Sequence, residues 1–350
     1  MTQRSAIDVR TLQLTILVIL AILLLSGCRP AGPQTQATAT GPVPETPAPT
    51  LTPTLEPLGS TGNPLVIGFV NATGDAEATG AGRELAVRLT VQTGFAIQSR
   101  VFPSAPELVE ALQDGEVHAA WLQPLTYLYA HSRGIADVSL LTNHFGTYYY
   151  GTQFFANVES SFSSYYDAVT NTNLADAQSA LAQLGGKTPC WVDTDSVSGY
   201  ILPAGILSEI GVQVNTGVIA RTATNVIRTL YITGVCDFGA TFGVTGDPRT
   251  ASAVLDDLPD ARERVMVLWR SDAIIPNLNL SFLPNLPGEV RQIVEQALVE
   301  LVKSEEGKTL LSQANQYDIE DLRSVDDSIY DPIRGAVQRT NTDLNDVLGR

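Results

Sequence analysis

The chain has 350 residues, of which 44% are hydrophobic, and its 37 acidic and 21 basic side chains give a formal charge of -16. This hydrophobic fraction excludes a wholly disordered protein, and the length is enough for two domains with buried interiors. The acidity, together with the absence of any basic run, argues against nucleic acid or an anionic bilayer as a binding partner.

The first predicted element is a secretory signal at residues 1–27. Arg4 and Arg10 precede an uncharged apolar stretch that is shorter than the ~20 residues of a membrane-spanning helix, and Leu25-Ser-Gly-Cys28 ends it. Small residues before a cysteine are typical of a bacterial lipoprotein site, so we expect cleavage before Cys28 and lipidation of Cys28. The alternative is a retained N-terminal membrane anchor. Two or more acyl chains anchor stably, which predicts an extracytoplasmic protein tethered to the cell membrane.

Residues 28–63 are dominated by Pro and Thr and contain very few large apolar side chains. Such a segment cannot bury enough surface to offset the entropy that ordering would cost. We therefore predict a disordered tether between the lipidated cysteine and a folded region that begins at residue 64.

The first part of the folded region alternates short apolar runs with amphipathic segments. Its predicted elements are strands at 65–70, 96–102, 118–122 and 138–143, and helices at 77–92, 104–112 and 124–131. Strands that alternate with helices at this spacing predict right-handed crossovers and a parallel sheet.

A β-prone run at 148–156 predicts a strand that crosses into a second lobe. The elements predicted after it are an irregular insertion near 158–173, helices at 175–184, 198–210 and 225–233, strands at 190–192, 217–220 and 237–241, a strand at 264–269 that crosses back, and helices at 289–303, 306–313 and 329–339. We predict an α/β protein of two hinged Rossmann-like lobes, residues 64–150 plus 271–350 and residues 151–270. Its ligand cleft should lie at the carboxyl ends of the strands.

Two cysteines remain after Cys28. Cys190 and Cys236 fall at the starts of two strands that we expect to be adjacent and parallel. In an oxidising compartment this placement is compatible with a disulfide, and the alternative is two reduced, buried cysteines.

Four segments that end a strand and begin a helix should face the cleft. They are 71–75, which Asn71 opens, 123–127, 195–199 and the stretch after Asp237. The first turn of a helix has free N–H groups and a partial positive charge, so these segments predict an anion site. We also expect Tyr150, at the start of the crossing strand, to line the cleft.

Several of these segments resemble motifs of the phosphate/phosphite/phosphonate-binding proteins of ABC transporters. Residues 114–127 resemble that family's D-G-x-(V/I)-D-(I/L)-A-W-(L/F)-G-P-L-S-Y signature, and 195–200 and 234–240 resemble two later motifs in the same order. The resemblance implies the type II periplasmic-binding-protein fold. It further implies a solute-binding lipoprotein that captures a small phosphorus oxyanion (phosphate, phosphite or phosphonate) and delivers it to a permease with its ATPase.

Carried over by position, the resemblance implies a set of ligand-binding residues: Thr126, Tyr127, Ser196, Val197 through its amide, and Ser198. Val197 stands where the family usually has Thr, and Gln123 replaces the usual Gly and could donate to an oxygen. Asp237 could accept a proton from the oxyanion or pair with a ligand ammonium. The alternatives are that the two serines cap their helix and that Asp237 caps a turn.

No residue pattern indicates an enzyme. His118, His131 and His144 are too far apart for a local metal motif, and neither a nucleophile elbow nor a dinucleotide fingerprint is present. We therefore predict a binding protein without catalytic residues, metal or cofactor, and expect it to be monomeric. Two alternatives are a different small anion, such as a sulfonate or an organic acid, on the same fold, and a sensory lipoprotein without a transport role.

Overall fold

The computed structural model of the protein describes residues 56–348. The predicted signal, Cys28 and the tether up to residue 55 lie outside this range, so they stay predictions. Within it, no helix combines the length and the apolar character needed to cross a membrane.

The predicted end of the tether is wrong, because residues 57–63 form a turn that packs on the folded region. The backbone N–H of Ala96 donates to the carbonyl oxygen of Gly59 at 2.7 Å, and Leu58 packs on the hydrophobic core beside Phe95. Gly59 has a φ of 85°, and a Cβ there would lie 2.8 Å from the Phe95 ring. A glycine is therefore required at this close approach.

The secondary structure follows the predicted order. The strands are β1 (Leu65–Val70), β2 (Ile97–Phe102), β3 (Ala119–Leu122), β4 (Asp137–Asn143), β5 (Tyr149–Asn157), β6 (Tyr166–Asp167), β7 (Thr172–Asn173), β8 (Pro189–Trp191), β9 (Val218–Ile219), β10 (Phe238–Gly243), β11 (Val265–Arg270), β12 (Ile275–Pro276), β13 (Asn279–Phe282) and β14 (Asp321–Ser324). The helices are α1 (Ala76–Thr93), α2 (Ala105–Gln113), α3 (Pro124–Ser132), α4 (Ala177–Leu181), α5 (Leu202–Glu209), α6 (Ala223–Ile232), α7 (Ser252–Leu255), α8 (Ala261–Arg264), α9 (Gly288–Leu301), α10 (Glu305–Asn315), α11 (Asp331–Arg339) and α12 (Leu344–Val347).

Side-chain caps explain where several helices begin. Ser104 and Thr222 precede α2 and α6, and each hydroxyl accepts the N–H of the residue three positions later. Such caps satisfy N–H groups that the first turn leaves free. The starts of these helices are thus decided locally.

The first sheet has the strand order β14-β4-β13-β3-β1-β2. Strand β1 is parallel to β2 and β3, as predicted, but β13 lies between β3 and β4 and is antiparallel to both. The prediction of a purely parallel sheet is therefore wrong at β13 and β14. Both strands come from the late part of the chain and are too short to show a periodicity of their own.

The second sheet has the order β11-β5-β10-β8-β9. The two long strands β5 and β11 are antiparallel neighbours, and β12 pairs with the first two residues of β5. This pairing brings the segment around β12 next to Tyr149 and Tyr150, where the chain passes from one sheet to the other.

A disulfide joins Cys190 in β8 to Cys236, which lies two residues before β10. Their Cα atoms are 5.6 Å apart, and both side chains are buried. Strands β8 and β10 are parallel neighbours, with Cys190 opposite Gly239. The bridge therefore fastens the amino-terminal ends of two central strands.

Hydrophobic clusters cover the two faces of each sheet. One cluster packs α1, α9 and α10 on the first sheet, and a second packs α2, α3 and α11 on its other face. The second cluster also contains Val197 and Ile201, which belong to the chain that follows β8. Apolar packing thus holds this turn against α3 and α11.

Two predicted helices differ from the structure. The helix predicted at 198–210 is α5 preceded by a π-helical turn, Val197–Ile201, in which the N–H of Ile201 reaches back five residues to the carbonyl of Ser196. The helix predicted at 175–184 is the short α4 followed by a 3-10 turn. The predicted irregular insertion contains the small hairpin of β6 and β7.

Candidate functional site

A cavity of about 360 Å³ lies where the two sheets meet. The residues that line it are Gln123, His144, Phe145, Tyr150, Asn277 and Tyr317, Phe242 near the end of β10, and Ser198 and Thr245 from the turns that follow β8 and β10. Because these turns lie at the carboxyl ends of their strands, the cavity occupies the place where open α/β sheets bind ligands.

A second cavity, of about 260 Å³, adjoins the first through the shared residue Gln123. Its lining includes Thr73, Trp121, Thr126 and Gln316. The two cavities together extend from the carboxyl ends of β1 and β3 to the turn that carries Ser198.

Gln123 and Thr126 offer hydrogen-bond donors at the start of α3. Gln123 is the N-cap residue, but its side chain does not cap the helix, and Pro124 occupies the first helical position. No described residue accepts a hydrogen bond from the amide of Gln123 or the hydroxyl of Thr126. Both side chains, with the free backbone N–H groups of the first turn, remain available to an anion.

The three residues of the turn at 196–198 were all predicted to bind the ligand, and the structure gives each of them a different environment. The hydroxyl of Ser196 accepts the N–H of Gly199 at 3.1 Å and so caps the turn. Val197 packs in the second cluster of the first sheet. Ser198 lines the first cavity, and its hydroxyl makes no hydrogen bond within residues 56–348, while its carbonyl accepts from the hydroxyl of Thr152 at 2.7 Å. Ser198 is therefore the serine that the cavity exposes to a ligand.

Two residues that line the cavities each have a buried polar atom with no partner in the described part of the chain. The Nε1–H of Trp121 is one, and the Oδ1 of Asn277 is the other. Trp121 is 3% exposed and also belongs to the hydrophobic cluster that α1, α9 and α10 form on the first sheet. A buried polar group without a partner is costly, so each of these atoms favours a complementary group on a ligand.

Aromatic side chains form one wall of the first cavity. The ring of His144 stacks on Tyr317 at 4.1 Å between centroids and lies 4.2 Å from the Phe145 ring. The Nδ1 of His144 lies 2.8 Å from the carbonyl oxygen of Asp318, which requires a proton on Nδ1. Phe145 is 62% exposed and has a φ of 48°, an uncommon conformation for a bulky side chain.

Tyr150 lines the same cavity, as the sequence predicts. Burial raises the pKa of its hydroxyl above its ordinary value. Its hydroxyl makes no hydrogen bond to any residue the structure describes, so it stays a neutral donor that a ligand can use.

Tyr127 does not face the cavity. Its side chain is buried in the second cluster, its hydroxyl donates to Asp327 at 2.9 Å, and its ring packs on Tyr330. Burial and then the Asp327 carboxylate raise the pKa of Tyr127 above its ordinary value. The resemblance implied a ligand contact for Tyr127, whereas the structure places its hydroxyl on Asp327 and its side chain outside the lining of both cavities.

Tyr127→Phe should therefore separate stability from binding. Loss of the hydrogen bond to Asp327 is expected to lower the free energy of unfolding by about 1 kcal/mol. Ligand affinity should stay within about twofold, because Tyr127 does not line the cavity. Asp327 also keeps its pairing with Arg334 through two contacts of 2.8 and 2.9 Å. Thermal unfolding and calorimetry measure the two effects, and a large loss of affinity would contradict this placement.

Asn71 and Asp237 are engaged elsewhere. The Oδ1 of Asn71 accepts the N–H of Asp75 and the side-chain amide of Gln316, and its Nδ2 donates to Thr79, so it orders the turn behind the second cavity. The carboxylate of Asp237 accepts the N–H of Thr188 at 2.7 Å before β10 begins. The structure puts Asp237 at the opposite end of that strand from the cavity.

None of the nine residues that line the first cavity is Lys, Arg, Asp or Glu. His118 and His131 contact the backbone of Val66 and Ala136 respectively, so of the three histidines His144 is the one on the cavity wall. Among residues 56–348 no group of three His, Cys, Asp or Glu side chains is placed to hold a metal ion. The site is thus a set of neutral donors beside aromatic rings.

Sequence reasoning missed several of these residues. Asn277 and Tyr317 lie in the late part of the chain, and Phe242 and Thr245 come after residue 241, where this strand was predicted to end. The segment Ile275-Pro-Asn277 resembles a late element of the same family as the earlier motifs, and this signal could have identified Asn277.

Comparison with known proteins identifies the fold and the family that this chain is similar to. The family model described as "ABC transporter, phosphonate, periplasmic substrate-binding protein" matches residues 67–330. No curated protein matches the sequence.

Solved structures are similar at low identity. A Xanthomonas citri protein bound to chloride ion has a TM-score of 0.59 at 18% identity, covering 79% of this chain and 98% of that one. PhnD1 of Prochlorococcus marinus, in complex with methylphosphonate, has a TM-score of 0.52 at 12% identity, covering 80% and 98%. A binding-protein component of an ABC phosphonate transporter from Pseudomonas aeruginosa has a TM-score of 0.50 at 17% identity, covering 79% and 87%. At these identities the likeness shows the fold, and the predicted two-lobe α/β class is confirmed.

Proposed function

Because this chain belongs to the family of phosphonate-type periplasmic substrate-binding proteins of ABC transporters, we propose that its ligand is a small phosphorus oxyanion held in the cavity between the two sheets. Members of this family are extracytoplasmic binding components and not enzymes. The partners of the protein are accordingly a small ligand and the permease and ATPase subunits of a transporter.

The observation that carries the ligand proposal is the set of uncharged donors on both sides of one cavity. Gln123 contributes from the first sheet, and Ser198, Thr245 and Tyr150 contribute from the second, Tyr150 at the start of β5. An oxyanion presents several acceptor oxygens at once, and neutral donors that converge on it from two sides hold it without a buried counter-charge. Phosphate, phosphite and phosphonates all present several acceptor oxygens on one small tetrahedral group.

The proposed mechanism is closure of two lobes, residues 64–150 plus 271–350 and residues 151–270. An anion that binds Gln123 and Ser198 together bridges the two sides, and it stabilises the closed form by its differential affinity for that form. The closed form would then be the one that the permease recognises.

We also propose that Cys28 carries the lipid anchor and that the protein acts as a monomer. The support for the anchor is the Leu25-Ser-Gly-Cys28 ending of the signal-like segment. Metabolic labelling with a fatty acid tests it, and a Cys28→Ala variant should be released from the membrane fraction.

Calorimetry tests the ligand proposal directly. The protein, purified in phosphate-free buffer, is titrated with phosphate, phosphite, methylphosphonate and 2-aminoethylphosphonate, and thermal unfolding is followed with each. We expect heat and a raised melting temperature with at least one of them, because a ligand that binds only the folded state stabilises it. No heat and no melting shift with any of the four would defeat the proposal.

The cavity lining makes a second prediction about the organic group of a phosphonate. No carboxylate lines the first cavity, so an ammonium group on the ligand would lose its hydration without gaining a partner. Propylphosphonate and 2-aminoethylphosphonate have nearly the same shape and differ in this charge. We expect propylphosphonate to bind at least roughly tenfold more tightly, and equal or reversed affinities would contradict this account of the wall formed by Phe145 and Phe242.

A further inference from the structure

Asn277 lines the cavity, and its side chain leaves one buried polar atom without a partner in the described part of the chain. Its Nδ2 donates to the carbonyl oxygen of Thr147 at 2.7 Å and to that of Thr142 at 3.4 Å. These two acceptors decide the orientation of the amide, because the flipped amide would place Oδ1 against two carbonyl oxygens. Oδ1 is therefore the free atom. The residue is 1% exposed, and no donor within residues 56–348 reaches Oδ1.

A buried acceptor of this kind discriminates between ligands that are otherwise alike. Leaving it unpaired forfeits the hydration that the oxygen had in water, so a ligand O–H directed at it is favoured. A phosphonate that keeps one proton presents such an O–H. A sulfonate of the same size and charge presents only acceptor oxygens, as does the phosphonate dianion, and their lone pairs repel that of Oδ1.

We infer that the site selects the singly charged, monoprotonated form of a phosphorus oxyanion, whose P–O–H group donates to the Oδ1 of Asn277. This inference rests on the proposed function and names the ligand form that the site takes. The charge of the lining agrees with it, because no Lys or Arg lines the cavity to offset the second charge of a dianion. The same contact would reject sulfonates, since specificity often comes from a repulsive element.

The titratable groups that face Asn277 do not obscure a pH test. Burial raises the pKa of Tyr150 and of Tyr317 above their ordinary values, so both stay neutral. His144 is the remaining titratable side chain on the lining, and the His144→Gln variant described below removes it. On strand β14, Asp321 and Arg323 contact Tyr148 and do not line the cavity.

The test is calorimetry on the intact protein with methylphosphonate and methanesulfonate, from about pH 6 to about pH 9. At the lowest pH both ligands are monoanions, and we expect methylphosphonate to bind at least roughly tenfold more tightly. Above the second pKa of methylphosphonate, its affinity should fall roughly tenfold for each pH unit, because the binding form is being lost. The same slope is expected in a His144→Gln variant, since the proton belongs to the ligand.

Three results would overturn the inference while leaving the proposed function intact. They are equal affinity for the two ligands at low pH, a methylphosphonate affinity that rises with pH, and a slope that disappears in His144→Gln. Failure of every phosphorus oxyanion to bind would instead overturn both.

An Asn277→Ala variant gives an independent measurement. We expect the affinity ratio of methylphosphonate to methanesulfonate to move toward one, because the repulsive oxygen is gone. A folded variant that keeps the ratio of the unmodified protein would contradict the role of Oδ1. If loss of the bonds to Thr142 and Thr147 prevents folding, the pH series on the unmodified protein still decides.

Discussion

Ser198→Ala is expected to weaken oxyanion binding by roughly ten- to a hundredfold. Its hydroxyl lies on the cavity wall without a partner in the described part of the chain, and a hydrogen bond to a charged group contributes about 1.5–3 kcal/mol. The side chain is 9% exposed and its hydroxyl supports no other residue, so the free energy of unfolding should change by less than about 0.5 kcal/mol. Calorimetry with methylphosphonate and thermal unfolding measure the two quantities.

Ser196→Ala is the matched control, two residues away in the same turn. Its hydroxyl caps the turn through the N–H of Gly199, and loss of such a cap costs about 1 kcal/mol. We expect lower stability with affinity changed by no more than about threefold. If Ser196→Ala removed binding and Ser198→Ala did not, the assignment of cap and ligand contact would be reversed.

Loss of the disulfide should have the largest effect on stability. The bridge between Cys190 and Cys236 closes a loop with a sequence separation of 46, and the chain-entropy model assigns such a loop about 4 kcal/mol. The double variant Cys190→Ala/Cys236→Ala should therefore melt roughly 10 °C lower. The bridge lies at the amino-terminal ends of β8 and β10, away from the cavity, so affinity below the transition should be unchanged.

A reductant provides the control for this prediction. Dithiothreitol should lower the melting temperature of the unmodified protein toward that of the double variant and leave the double variant unaffected. If the double variant melted at the same temperature as the unmodified protein, the bridge would carry none of the predicted stabilisation.

The parts of the fold that the sequence predicts well are those decided locally. Strands β1 and β3 are continuous apolar runs, and α2 begins at a Ser cap that the sequence displays. The antiparallel strand β13 was missed because its four residues read as a strand only once β3 and β4 lie on either side of it. The turn at 57–63 was missed because it is ordered by Ala96 and Phe95 and not by its own composition.

The site residues, like the elements of the fold, could be predicted only where the local sequence decides their position. Gln123, Thr126 and Ser198 lie where a strand turns into a helix, and that position is readable from the order of elements. The direction of a side chain cannot be read from that order. The hydroxyl of Tyr127 donates to Asp327, 200 residues further along, and the carboxylate of Asp237 accepts the N–H of Thr188. Spacing within a motif carries no information about such distant partners.

By itself the sequence determined the class of the protein: an acidic α/β chain with family motifs at strand-to-helix turns, which predicts a binding protein for a small anion. The α/β class follows from composition, periodicity and caps, which act over a few residues, whereas the binding function is what the resemblance of those motifs to a family implies. Only the tertiary structure decided which polar atoms lack a partner, above all the hydroxyl of Ser198 and the Oδ1 of Asn277. A partner is supplied or withheld by chain segments far apart in sequence, so the atoms left free for a ligand become known only when the sheets and the turns between them are assembled.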